Sequence, residues 1–521
     1  MIKLVQSFQF FKKDKFFDAV FFVIILVFFI RASFYYYQII IFPFQLELRE
    51  GMALLITNAF LNGNNPYAEI NQPLLHNQYG FLYSMVLLPF SQYFGPTLFI
   101  HRLINFIFIL ISCIIVFDIC YEKGKSFLYS SCALVILYQT FLEQSECLAF
   151  PNSMGVCLML LSIYVPWKTN FTTKSLMFCI IVGILAFFTK IYFIIGSICV
   201  AVYLIIFRSR REAIIFSLSL SLITIFAIIT VVKFFDFYFE DTILVSYLGG
   251  KTSASWRHLV MQVLYFIKLY SGLFIVMTLI IIKKFQLLNN DIPSLIRGFC
   301  SNFKKTRELI TNNLRRDYFF RVCFVISCTL MIFLGRNSWA FFSYFAQLIL
   351  PFMLIVFIDQ FSKNFISKKI AGLFLIATLI MIACVYPNNT DFYKSYNKQN
   401  FLSLNEIVQT HNTMYNSPSL VSLFLEHKKD ITDSGQLEYF KLAKTERAKK
   451  IYNDYLNDIS YKINTNYYDV IFEYSHLLLE INTLENQLFF KKYKLFKTIP
   501  IKELQLEHAR DIKIWLRRDF F

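Results

Sequence analysis

Residues 16–55 read FFDAVFFVIILVFFIRASFYYYQIIIFPFQLELREGMALL. An apolar run of this length covers the roughly 30 Å of hydrocarbon in a bilayer. Glu47, Arg49 and Glu50 follow it at once, where the chain would emerge at the interface. Lys12, Lys13 and Lys15 precede the run, as in a signal peptide, but Arg31-Ala32-Ser33 followed by Phe34 and three tyrosines makes a poor cleavage site. The segment therefore reads as an uncleaved first span.

The remainder of the chain has the same character. Of its 521 residues 57% are hydrophobic and only 16% charged, more apolar surface than a soluble core of that length hides. Apolar blocks near 17–42, 98–120, 127–143, 148–166, 175–189, 191–207, 213–233, 258–282, 319–335, 339–360 and 370–387 predict a mainly α fold, a polytopic membrane helical bundle of about eleven transmembrane helices. The net charge of +17 does not point to nucleic acid, because the basic residues fall in short tracts between spans, at 12–15, 123–125, 168–174, 208–211, 283–316 and 363–369. Such tracts mark the cytoplasmic side and put the N-terminus inside. The segment 79–95, YGFLYSMVLLPFSQYFG, is broken by Pro89, and a full span there would invert every later loop, so it is expected to lie on the outer surface.

Outside lie the loop 43–97, the turn at Glu143 to Glu146, the stretch 236–257 and a tail. The predicted organisation is a transmembrane domain over 1–387, with surface helices in its first outer loop, and a small α/β extracytoplasmic domain over 388–521. In that tail YYDVIFEY (467–474) reads as a buried strand, and 437–459 has helical spacing. The 11 cysteines, among them Cys113, Cys132, Cys157, Cys179 and Cys323, sit mostly in apolar runs without a C-x-x-C pair and read as small core residues.

Glu47 and Glu50 stand three apart, on one face of a helix with Arg49 beside them. Leu54, Leu55, Ala59 and Phe60 continue an amphipathic pattern, and NGNNPY (62–67) ends it with turn formers. The plain alternative is a solvated face on an interfacial helix. Lys190, between two apolar runs in GILAFFTKIYFIIG (183–196), is either a snorkelling lysine or an anion site. Arg336, near Gly335 in GRNSWAFFSYFAQLILPFM (335–353), has the same two readings. His76 and His101 would have to join Glu50 to hold a metal; otherwise they are polar loop and helix residues. Tyr79, Trp256 and Trp339 fit an interfacial aromatic belt.

The ordered set REGMALLITNAFLNGNNPY (49–67), NQYGFLYSMVLLPFSQYFGPTLFIHRLIN (77–105), the Lys190 segment and 335–353 resembles the GT-C superfamily of glycosyltransferases. It is most similar to the dolichyl-phosphate-mannose protein mannosyltransferase family and its bacterial relatives, including the aminoarabinose transferase of lipid A. The resemblance implies an inverting enzyme of hexosyltransferase type in a bacterial inner membrane, moving a sugar from a polyprenyl-phosphate carrier to a lipid, glycan or protein acceptor on the periplasmic side. It implies Glu50 as catalytic base and Lys190, Arg336 and Arg102 at the donor phosphate, with Glu47, Arg49, Glu146, Asn152, His76 and Tyr79 as accessory candidates; Arg102 is alternatively a partner for a first-loop acid or a headgroup ligand. A divalent cation is left open. Two departures stand out: FPNSMG (150–155) puts Asn152 where relatives carry an acid, with Glu143 and Glu146 in the same turn, and LLHNQYG (74–80) lacks the usual lysine-proline pair. The alternative class is a non-catalytic flippase or exporter component, whose mark would be charged residues forming a path through several spans.

Overall fold

The computed structural model describes residues 2–144, 146–245, 255–275, 278, 316, 318–334, 344–363, 368–385, 398–415, 421–426, 430–431, 440, 445–473, 489–499 and 512–520. The chain is mostly helical and its helices are apolar. Helix α1, Ile2–Ile41, leads through a short turn into α2, Leu48–Leu61. After a loop come α3, Leu82–Phe94, and α4, Leu98–Gly124, then α5, Phe127–Glu143, α6, Asn152–Lys168, and α7, Thr173–Thr189. A 3-10 turn, Ile191–Ile194, separates α7 from α8, Ile195–Phe207, which is followed by α9, Arg210–Phe234. Next are α10, Trp256–Leu269, α11, Phe319–Leu334, α12, Leu350–Lys363, and α13, Lys368–Val385.

Phe16–Ile41, Leu98–Gly124 and Arg210–Phe234 are long and apolar enough to cross a membrane. Among the shorter apolar helices, α3 has 13 residues with Pro89 inside it, and at 1.5 Å per residue it reaches only about 20 Å. Helix α4 lies at the centre, packed on α1, α5, α6 and α12. On α9 the exposed residues Ile214, Leu218, Leu222, Phe226 and Ile229 recur every three or four positions, a continuous apolar stripe of the kind that faces lipid. Cys113, Cys132, Cys157, Cys179 and Cys323 are buried free thiols, as core residues should be.

The tail contributes α14, Lys398–Thr410, α15, Val421–Glu426, α16, Glu446–Asn464, and five strands. These are β1, Thr413–Tyr415, β2, Asp430–Ile431, β3, Val470–Glu473, β4, Tyr493–Ile499, and β5, Ile512–Arg517, in the order β2-β1-β3-β5-β4. β1 pairs in parallel with β2 and β3, whereas β5 runs antiparallel to β3 and β4. The helix expected over 437–459 starts at Glu446, because the Thr445 hydroxyl caps it by accepting from the Ala448 amide. Val470, Phe472, Ile499, Ile512 and Ile514 form one apolar cluster with Leu54 and Leu55 of α2, Leu98 and Ala149. The sheet therefore lies on the same end of the bundle as the first loop. Arg447 reinforces the contact by pairing with both Glu69 and Glu240 over the ring of Phe237.

Candidate active site

The two glutamates that follow α1 are the N-terminal lock of α2. Glu47 is the N-cap, its carboxylate accepting from the Arg49 amide at 2.7 Å. Glu50, three residues on, reaches back to the Leu46 amide at 2.8 Å. The pair resembles a capping box, but Glu replaces Ser or Thr at the cap, and the return bond from Glu50 goes to Leu46, one residue before the cap. Gly63, at φ +72°, follows the other end of the helix, where only glycine is unstrained.

Glu50 is fully buried, and each of its oxygens accepts two hydrogen bonds. Oε1 receives Arg102 Nε at 2.7 Å and the Ala149 amide at 3.0 Å, while Oε2 receives Arg102 Nη2 at 2.7 Å and the Leu46 amide. Arg102 is equally engaged. Its other three bonds go to the carbonyls of Ile39, Phe42 and Phe44, at 2.6–2.8 Å, so all five guanidinium N–H groups have protein acceptors. Of the readings open for Arg102, a partner for a first-loop acid and a donor-phosphate ligand, the pair with Glu50 matches the first. The pair joins the end of α1, the start of α2, α4 and the turn before α6.

A second cluster lies beside it. Glu47 is also ion-paired with Arg49, at 2.7 Å, and the Arg49 guanidinium stacks 4.4 Å from the centre of the Phe150 ring. The Lys190 ammonium sits 4.3 Å over the ring of Tyr79 and donates to Asn152 Oδ1. Asn152 Nδ2 reaches Glu146 Oε1 at 3.4 Å, and Gln347 Nε2 donates to the same oxygen at 2.6 Å. Thus six expected residues, Glu47, Arg49, Tyr79, Glu146, Asn152 and Lys190, converge where α1, α5 and α7 end and α6 begins. Backbone geometry fixes the meeting point: the Gly80 amide donates to the Thr189 carbonyl at 3.1 Å, docking the loop on the last turn of α7. Asn105 of α4 holds the turn 146–152 through the carbonyls of Leu148 and Phe150.

Burial sets the electrostatics. It pulls Lys190 down from the usual lysine range to about 7, a fall that Arg49 deepens and Glu146 and Glu47 oppose. The same desolvation pushes Glu146 up to about 7 against the pull of Gln347, Lys190, Arg49 and Asn152.

His76 is not beside Glu50. It pairs with buried Asp241, which also accepts the Asn77 amide at 3.0 Å, and its ring meets Phe440 edge-on. His101 is buried in α4 against Tyr83. Among the described residues no three His, Cys, Asp or Glu side chains converge as metal ligands, so the proposed set of His76, His101 and Glu50 is not assembled. Trp256 is exposed, and Glu143 stands half-buried at the end of α5. Arg336 and Trp339 lie outside the described residues.

Gln347, Tyr192, Tyr344 and Asp241 escaped sequence reasoning. Gln347 was visible as a lone amide in an apolar run, but its π-helical turn, Phe345–Ile349, has no simple sequence period. An open groove of about 480 Å³, lined by Phe60, Phe81, Met85, Val231, Phe234 and Phe235, lies at the other end of α2 from Glu47 and Arg49. Phe81 is two residues from Tyr79.

No family model matches the chain, and no curated protein matches it. Among solved structures the chain is similar to ArnT from Cupriavidus metallidurans bound to undecaprenyl phosphate, with 10% identity and a TM-score of 0.46 over 84% of this chain and 79% of that one. It is also similar to ArnT from the same organism in the apo state, with 12% identity and a TM-score of 0.42 over 82% and 74% of the two chains.

Proposed function

We propose that this chain is a multi-pass glycosyltransferase of the bacterial inner membrane that moves a hexose-type sugar from a polyprenyl-phosphate carrier to an acceptor hydroxyl on the periplasmic side. The single observation that carries the reading is the cluster of Arg49 and Lys190 with Glu47 and Glu146, assembled at one end of an apolar bundle. In this reading about eleven helices cross, the N-terminus is cytoplasmic, and residues 388–521 form a periplasmic domain over the first loop.

The chemistry follows from the charges. The carrier's prenyl chain lies in the groove lined by Phe81 and Phe235, and its phosphate meets Lys190 and Arg49. The acceptor hydroxyl attacks the anomeric carbon on the face opposite the phosphate, and the bond from that carbon to the phosphate oxygen breaks, so the configuration inverts. The proton of the hydroxyl passes to a carboxylate. The carrier leaves as a phosphate monoester, whose added negative charge the two cations stabilise.

The base is assigned to Glu47 and not to Glu50. Both Glu50 oxygens already accept two donors, whereas the two bonds from Arg49 leave one acceptor site on each oxygen of Glu47. Glu50 and Arg102 then serve as positioning residues. Clustering of these charges at one end, instead of along a path through the spans, favours transfer over export.

The deciding experiment is mass spectrometry of envelope glycans and lipids from cells with and without the protein, together with lipid analysis of the purified chain. A missing sugar modification and a co-purifying polyprenyl phosphate are expected. Identical glycans and no retained carrier would remove the reading.

A further inference from the structure

Glu146 holds its two oxygens in unlike surroundings. Oε1 accepts from Gln347 and Asn152, but Oε2 is buried and has no hydrogen-bond partner among the described residues. A buried carboxyl oxygen without a donor is a costly arrangement, and folds keep few of them without a use.

The groups around it indicate what would fill the vacancy in its bonding. Gln347 is fully buried on the π-helical turn that precedes α12, the kind of irregularity that recurs at functional sites. Its amide is held at both ends, Nε2 on Glu146 and Oε1 accepting from the Tyr192 hydroxyl at 3.1 Å. Asn152 is fixed in the same way by Lys190. One carboxyl and two oriented carboxamides thus stand together, next to the rings of Tyr192 and Tyr344, whose centres are 5.2 Å apart. Hydroxyl groups both donate and accept, so they match such a set, and aromatic faces suit the C–H faces of a sugar ring. A cationic ligand suits it less, because Lys190 and Arg49 already act on Glu146.

We propose that Glu146, Asn152 and Gln347 form the subsite for the hydroxyl groups of an uncharged sugar on the donor, with one hydroxyl donating to Glu146 Oε2. The inference rests on the donor reading above and narrows it to neutral sugars. Glu146 is raised toward neutrality by burial, and a hydroxyl donating to Oε2 would favour its ionised form.

The test uses the purified full-length chain in lipid nanodiscs. Binding is measured for bare undecaprenyl phosphate, for undecaprenyl phosphate carrying glucose, galactose or mannose, and for the corresponding amino sugars. At least one neutral hexose should tighten binding about tenfold or more over the bare carrier, the effect of a hydrogen bond to a charged group, and the amino sugars should bind no better. Gln347→Ala should lose that gain while still holding the bare carrier, and Glu146→Ala should lose it relative to its own affinity for the bare carrier. If one variant fails to hold the bare carrier, the other decides alone; if both fail, the cluster holds the phosphate itself and the sugar subsite is rejected. A gain that survives in a folded variant, a preference for amino sugars, or no gain from any hexose overturns the inference alone. Failure of the wild-type chain to bind any carrier overturns the donor reading and this inference with it.

Discussion

Glu50 and Arg102 are buried charges kept by complete pairing, and their removal differs in kind from removal of Glu47. Breaking a buried pair by neutralising one partner costs roughly 3–5 kcal/mol, because the other charge is left uncompensated. Glu50→Gln is therefore expected to lower the melting temperature of the purified protein sharply, and Arg102→Met to do the same. Glu47→Gln takes a carboxylate that is only 7% exposed out of its ion pair with Arg49 and weakens the cap, for which about 1–3 kcal/mol is expected, yet transfer should fall roughly 10²- to 10⁴-fold with the loss of the base. A Glu50→Gln protein of normal stability but no activity would return the base to Glu50. Lys190 adds a pH signature. The carrier phosphate needs the ammonium, which is lost as pH rises through about 7, far below the usual lysine value of about 10.4. Carrier binding should weaken steadily above neutrality, and Lys190→Arg, which stays charged, should bind without that decline. Equal pH profiles for the two proteins would contradict the assignment. Stability runs the opposite way: with its folded pKa below the unfolded one, Lys190 favours the folded state increasingly as pH rises over the same window.

At the level of elements, the site depends on where the loop before α3 touches α7. Gly80 has no room for a side chain, since a Cβ there would run into the Phe188 carbonyl. Gly80→Ala must push the loop away, and Tyr79 with it, from beneath the Lys190 ammonium. A loss of about 1–3 kcal/mol is expected, with a parallel loss of transfer, read by thermal unfolding and by assay. A variant as stable and active as the wild type would show that the loop does not position the site. Much at this scale was legible. Among the described residues the apolar blocks fall on helices, and Glu47, Arg49 and Lys190 stand out because a charge beside a span is informative, Asn152 because the resembled family carries an acid there. The role of Glu50 is ambiguous in sequence, because its three-residue spacing from Glu47 serves equally a pair of reactive carboxylates and a helix-capping pair, and only tertiary placement brings Arg102 from α4 onto its oxygens. The pairing of His76 with Asp241, 165 residues later, has no local trace at all.

Across the whole molecule, the tail covers the bundle end through the apolar cluster shared by α2 and the sheet and through Arg447. This arginine joins Glu69 of the first loop to Glu240 of the loop after α9. Its side chain is 38% exposed, so the pairs contribute at most about 1 kcal/mol. Arg447→Ala should leave melting nearly unchanged while raising hydrogen exchange in α16 and around residue 69; unaltered exchange would show that the apolar cluster alone holds the tail. Strand β3 was readable from its run of buried residues, whereas β1 and β2, with three and two residues, are too short to leave a pattern.

The shared cluster also bears on biosynthesis. Strands β4 and β5 lie far downstream of α2, yet Ile499, Ile512 and Ile514 are among the residues that close over Leu54 and Leu55. The helix carrying Glu47 and Arg49 is thus translated long before the residues that sheathe its outer flank. A chain cut short before β4 would carry an unroofed, sticky surface for quality-control proteases to find.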